Sequence, residues 1–150
     1  MRYPLFYRKM PAVEQEFLKE NYTFYKSLSD KNQRLFEYRV IKFIEHHNFV
    51  GKDGFQITKE TELLISGTAI MLSFGYSEYL YDMFSTILIY PKDYYSEITE
   101  QNHKGETNPR FGVVVFSWED FKAGLAIEDD NLHLGLHEFT HALHFNLSST

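Results

Sequence analysis

At 150 residues, with 43% apolar and 24% charged residues and only 8 Gly and 4 Pro, the chain has the composition of one globular domain, not of a disordered or fibrous segment. Its formal net charge of −6, without any cluster of Lys or Arg, argues against nucleic acid as a partner, because phosphate binding needs a basic footprint. With no cysteine, no signal-like N-terminus and no apolar run near the ~20 residues that span a bilayer, the chain is expected in the cytoplasm, without disulfides, thiolate chemistry or a membrane partner.

The first half reads as helices. Pro11 can open a helix, and Val13, Phe17, Tyr22, Phe24, Tyr25 and Leu28 form a broad apolar face that predicts helix through Leu28. Ser29-Asp30 is the next cap, followed by Leu35, Phe36, Tyr38, Val40, Ile41, Phe43 and Ile44, with a stop predicted near Phe49-Val50-Gly51. Thr58, three residues before Thr61 and four before Glu62, marks an imperfect start for a helix running to about Phe74-Gly75. Then the period changes. Phe84 to Tyr90 is rich in strand formers and stops at Pro91, and Gly112 to Phe116 is a second short strand candidate. The polar stretch between them, Ser96 to Arg110, reads as a loop. Ser117-Trp118-Glu119-Asp120 resembles a capping box and predicts a short helix ending at Gly124. After Glu128-Asp129-Asp130-Asn131, whose charge suits the positive end of a helix dipole, a last helix is predicted through Leu132, Leu134, Leu136, Phe139, Leu143 and Phe145. The 14 Phe and 11 Tyr spread along these segments predict a core filled by aromatic rings.

The last helix contains His137-Glu138-Phe139-Thr140-His141, the HExxH pattern. Residues four apart on a helix are separated by 400° of rotation, so His137 and His141 project on nearly the same side, one turn apart. Two imidazoles so placed can both reach one Zn²⁺ at ~2.0–2.1 Å and leave positions for another protein ligand and a water. Glu138 lies on the flank of that stripe, where it can hydrogen-bond the water without ligating the metal. Zinc lowers the water's pKa from 15.7 toward ~7, and the carboxylate takes its proton as it attacks a carbonyl. The pattern therefore predicts Zn²⁺ as cofactor, His137 and His141 as ligands and Glu138 as general base.

The other histidines weigh less. His133, His137 and His141 form an i, i+4, i+8 row, but the outer two are ~12 Å apart along a straight helix, too far for one tetrahedral ion. His133 is better read as a first-turn residue near the acidic run. His144 follows His141 by three and either approaches the site from one side or simply packs. His46-His47 ends a helix, where a histidinium suits the dipole, and His103 lies in the polar stretch, so these read as structural or solvated. A catalytic zinc usually has three protein ligands, and this segment supplies two. No upstream His, Glu or Asp has a spacing that marks it as the third, so either an unrecognised upstream residue folds over the site or, the favoured expectation, the third ligand lies beyond Thr150 in a chain truncated at its C-terminus.

Two segments carry a family resemblance: Ser117-Trp118-Glu119-Asp120 with Gly124, and Leu136-His137-Glu138-Phe139-Thr140-His141-Ala142-Leu143. They are similar to the Ser-Trp-x-x-…-Gly and Leu-His-Glu-Phe-Ala-His-x-Leu-Asp segments of the Mlc titration factor A family, the glucose-regulated zinc metallopeptidases of bacteria. Ile89-Tyr90-Pro91 and the helix ending at Phe74-Gly75 agree more weakly. Thr140 stands where the family usually has Ala, and His144 where it typically has Asp. The resemblance implies a single zincin-like domain over 1–150 of α+β class, mostly helical. Its N-terminal helices, over about 11–75, precede a short-stranded part over about 84–150 that ends in the HExxH helix. It also implies that His137 and His141 are the zinc ligands, that Glu138 is the catalytic base, and that the third ligand is a glutamate well downstream.

The leading expectation is a zinc peptidase acting on short peptides or flexible chain ends, with an extended substrate paired to one of the two strand candidates. Gly112 to Phe116 is the preferred strand, because it precedes the last helix closely. The alternative, from another class, is a regulatory binding module that has kept the fold, lost efficient hydrolysis and sequesters a protein partner such as a transcriptional repressor.

Overall fold

The computed structural model describes residues 9–96, 99–126 and 134–148. Helix α1 covers Ala12–Asn21 and α2 covers Thr23–Ser27, so the apolar face read as one helix through Leu28 is broken at Tyr22. That residue takes an extended conformation, φ −130° and ψ 103°. The break has a tertiary cause. Tyr22 is buried against α4 (Lys59–Ser73), where its hydroxyl meets the Leu64 carbonyl and lies 2.9 Å from Thr68 Oγ1. Helix α3 covers Asp30–His46 and is capped as expected, Ser29 Oγ accepting from the Asn32 N–H at 3.3 Å. It stops before the predicted Phe49-Val50-Gly51, because Asn48–Gly51 is strand β1. Helix α4 opens on a reciprocal box between Thr58 and Thr61, the signal that had read as imperfect.

Strand β2 covers Thr86–Tyr90, β3 covers Tyr94–Ser96, β4 covers Gln101–His103, β5 covers Gly105–Asn108 and β6 covers Val113–Ser117. The main sheet has the order β1-β2-β6-β5, with β1, β2 and β6 parallel and β5 antiparallel at the edge. β3 and β4 form a separate antiparallel pair. Both predicted strands exist, each one or two residues shorter or shifted. The stretch read as a loop from Ser96 to Arg110 instead holds β4 and β5. Its sequence offers no apolar alternation, and β5 gains its hydrogen bonds only by lying beside β6.

β6 is paired on both sides, to β2 and to β5, so it has no free edge for an extended substrate. The expectation that Gly112 to Phe116 would receive the peptide is therefore corrected: the edge next to it belongs to β5. The side chains of β2 and β6 alternate as a pleated sheet requires. Ile87, Ile89, Val114 and Phe116 join the helices in the core, whereas Leu88, Val113 and Val115 face the other way. The predicted short helix forms as α5 (Trp118–Leu125), with Ser117 Oγ accepting from the Asp120 N–H at 3.4 Å. Helix α6 covers Leu134–Ser148. The acidic run at 128–131, expected to precede it, lies outside the described residues. Taken together the architecture of the described residues is mixed α and β, six helices and six short strands, with most of the residues in these elements helical.

The core is aromatic, as the composition predicts. Phe43 meets Tyr81 edge-on at 5.8 Å and Phe139 at 6.1 Å, and Phe139 continues the chain of rings to Phe116 at 5.3 Å. Phe116 in turn meets Phe121 at 5.2 Å. These separations fall in the range where offset and edge-to-face pairs are favourable. Among the described residues no helix is long and apolar enough to cross a membrane.

Two buried polar sites sit in the helical part. Glu37, fully buried, accepts from Tyr25 Oη at 2.6 Å, Arg34 at 2.7 Å and Gln15 Nε2 at 3.0 Å. These donors compensate the cost of removing a carboxylate from water. His47, expected as a solvated or structural histidinium, is buried. It stacks on Phe43 at 3.9 Å, with Nδ1 2.9 Å from the Phe43 carbonyl. Burial pushes its pKa down from 6.5 to about 4. The neighbouring His46 keeps the exposed position, with Nε2 2.9 Å from Asp82 Oδ1.

Two outcomes follow from this packing. A Cβ at Gly67 would fall 2.6 Å from the Tyr22 ring, so Gly67→Ala should cost about 1–3 kcal/mol in urea unfolding, the usual penalty for overpacking a core. An unchanged midpoint would contradict the contact. His47 must gain a proton on unfolding wherever the pH lies between its two pKa values. It therefore removes stability as pH falls from about 6.5 to about 4, by roughly 3 kcal/mol at most. His47→Phe keeps the stack and lacks the proton, so the stability difference between variant and parent should grow in the variant's favour over that window; a pH-independent difference would rule out a buried neutral imidazole.

Candidate active site

The geometry of the site starts from the buried side of α6. Gly135, Glu138, Phe139, Ala142, Leu143 and Asn146 are buried, at the i, i+3, i+4, i+7 spacing of one helical face. Phe139 packs against Phe43, Tyr81 and Phe116, and Asn146 Oδ1 accepts the Met83 N–H at 3.0 Å. Two residues before and two after Phe139 lie about 200° away around the helix. His137 and His141 therefore emerge on the exposed side, and they do so together. Their ring centroids are 4.7 Å apart and their planes are nearly perpendicular, at 88°.

Glu138 lies between the two faces. Its residue is only 6% exposed, although both flanking imidazoles are open to solvent. Strand β5 is the reason. Thr107 Oγ1 lies 2.7 Å from Glu138 Oε1 and 3.0 Å from the Glu138 backbone carbonyl oxygen. Next to it Gly105 leaves space that a side chain would fill: a Cβ there would sit 3.0 Å from Glu138 Cγ and from Oε2. On the other face of the same strand, Tyr94 Oη donates to Glu106 Oε1 at 3.2 Å. Burial, and then the Glu106 and Glu138 carboxylates, hold the Tyr94 phenol far above its ordinary pKa, so it remains a hydrogen-bond donor at all ordinary pH.

Each sequence-predicted site residue can now be placed. His137 and His141 lie side by side on the exposed face of α6, and Glu138 is turned toward the edge strand β5. His144 is exposed, with its ring against Phe145 at 6.2 Å. His133 lies outside the described residues. His103 sits in β4, with Nε2 2.5 Å from Thr99 Oγ1. Among the described residues no three His, Asp or Glu side chains converge as a metal cage. Two imidazoles one turn apart and open to solvent fit two of the four positions of a tetrahedral zinc. Thr107 and Gly105 escaped the sequence reading, because Gly105-Glu106-Thr107-Asn108 carries no apolar period that would mark it as a strand beside α6. A cavity of about 360 Å³ lies away from the imidazole pair, on the outer side of the sheet, lined in part by Leu88, Tyr90, Tyr94 and Glu106.

Comparison with known proteins bears on what such a site is for. The profile of the family described as glucose-regulated metallo-peptidase M90 matches residues 2–148. The chain is a member of that family. This agrees with the resemblance to the Mlc titration factor A family, and it makes the fold that of a metallopeptidase family. The chain is also 27% identical over 150 residues to an uncharacterized protein of Synechocystis sp.. That match covers 93% of this chain and 54% of the relative, so the chain spans about half the length of the curated relative it matches.

The two sides of α6 should respond differently to substitution. In the presence of chelator, His137→Ala and His141→Ala should each change unfolding free energy by less than ~0.5 kcal/mol, as exposed positions do. Phe139→Ala should cost about 3–5 kcal/mol. Denaturant midpoints check this, and a large loss from either histidine variant would mean that its ring is not on the open face.

Proposed function

We propose that this glucose-regulated metallo-peptidase family member hydrolyses peptide bonds as a zinc-dependent enzyme of zincin-like arrangement, with His137 and His141 holding the metal and Glu138 as general base. The observation that carries the reading is the pair of imidazoles 4.7 Å apart on the open face of α6, on the same helix as the Glu138 carboxylate that Thr107 of the edge strand holds. A bound zinc supplies Lewis acidity, which makes water a competent nucleophile near neutral pH and draws charge from a peptide carbonyl.

The protein's own residues supply the rest. His137 and His141 offer their ring nitrogens from a helix whose rotation about its axis is set by Phe139. Glu138 accepts the proton of the attacking water and returns it to the departing amine, the general base then acting as general acid. β5 is the edge of the sheet beside this helix, and an extended peptide can pair along it as an added strand. Such pairing recognises backbone before side chains, which suits short peptides and flexible chain ends.

The test is hydrolysis of a quenched peptide library, with zinc measured per chain. Parent protein should cleave, lose activity with chelator and regain it with zinc. Glu138→Gln should retain zinc and lose roughly 10²–10⁴-fold in rate, the usual share of a general base. A Glu138→Gln variant as fast as the parent overturns the mechanism.

A further inference from the structure

We propose that β5 is a positioning cradle for the general base, in which the Thr107 hydroxyl holds one oxygen of the Glu138 carboxylate and Gly105 makes room for the other. This deepens the peptidase reading and rests on it.

A glutamate on an open helix face has three rotatable bonds and samples many positions. A general base works only within about 2.6–3.2 Å of the proton it takes, so sampling costs rate. Glu138 is not left to sample. Thr107 Oγ1 lies 2.7 Å from Oε1, a distance typical of a hydroxyl donating to a carboxylate. With Oε1 occupied, Oε2 is the oxygen left to take a proton. Oε2 lies over Gly105, where a Cβ would come within 3.0 Å of it, within 3.0 Å of Cγ and within 2.8 Å of Leu134 Cδ1. A side chain at 105 would therefore have to displace the Glu138 carboxylate and the end of the Leu134 side chain from where they lie against the strand. Glycine here is a requirement of close approach, not of backbone angle.

The register explains why these two residues act together. Gly105 and Thr107 are two apart on β5 and so face the same side of the sheet, toward α6, while Glu106 faces the opposite side with Tyr94. A shift of β5 by one residue against β6 would put Glu106 where Thr107 stands and place two carboxylates together. The β5–β6 pairing thus sets which group the base meets.

The hydroxyl has one hydrogen and two acceptors in reach, the Glu138 carboxylate and the Glu138 backbone carbonyl at 3.0 Å. A purely structural Thr107 would serve the carbonyl and merely dock the helix. The experiment must separate these roles. Thr107→Val keeps the shape and removes the donor, and Thr107→Ser keeps the donor. Thr107→Val should lower kcat about 10-fold to 100-fold, with KM within about twofold and zinc per chain as in the parent, and Thr107→Ser should return to within about threefold. In a thermal-unfolding cycle, the loss caused by Thr107→Val should shrink when Glu138 is already Ala. Equal losses in the two backgrounds would assign the hydroxyl to the backbone carbonyl and overturn the cradle. So would a Thr107→Val enzyme with the parent's kcat. A parent with no chelator-sensitive hydrolysis instead overturns the peptidase reading itself, a different failure read in a different measurement.

Discussion

The burial of Phe139 among the rings of Phe43, Tyr81 and Phe116 is the contact on which the rest of the site depends. A helix is rigid about its axis, with each residue turned about 100° from the last. Once one large ring is seated in the core, the directions of its neighbours are settled. His137 and His141 must face outward and Glu138 must lie at the boundary. The aromatic cluster is therefore more than a store of buried area, because it sets the rotation of the helix that carries His137, Glu138 and His141. Asn146 strengthens this setting two turns further on, where its side-chain oxygen accepts the Met83 N–H.

The second constraint comes from the edge of the sheet. β5 is four polar or small residues with little intrinsic strand preference, and β6 holds it in place by antiparallel pairing. Lying at the edge, it can be used on both faces and along its open side. Thr107 and Gly105 meet α6, while Glu106 meets Tyr94, whose ring stacks on Tyr90 at 4.3 Å. A buried, hydrophobic strand could not do this, since its side chains would be committed to the core. The polar composition that hides β5 in the sequence is what lets it serve the site.

The N-terminal helices contribute at a distance. Their polar devices, the Tyr22 ring laid over Gly67 and the Glu37 carboxylate with its three donors, join α1 to α4 into one platform. α4 connects β1 to β2 and packs beside α6, so the platform supports the helix from behind. The large apolar residues of α6 thus face the core while His137 and His141 face solvent, with Glu138 buried at the boundary.

Much of this was legible in the residues alone. The HExxH spacing on an amphipathic segment placed two imidazoles on one side of a helix, because a 3.6-residue period leaves no other arrangement. Caps at Ser29, Thr58 and Ser117 marked helix starts, since a side-chain oxygen three residues before a free amide is a local interaction. The runs at Thr86–Tyr90 and Val113–Ser117 announced strands through their β-branched residues. Everything non-local was decided by the tertiary structure. The break at Tyr22 needed Gly67 to receive the ring, and strand β1 needed β2 beside it. β5 needed β6, and only their register could bring Thr107 and Gly105 to the Glu138 carboxylate. Local pattern specifies which way a side chain points from its own element. What it meets there depends on residues outside its own element, 31 positions away for Thr107 and Glu138, whose placement is a property of the packed whole.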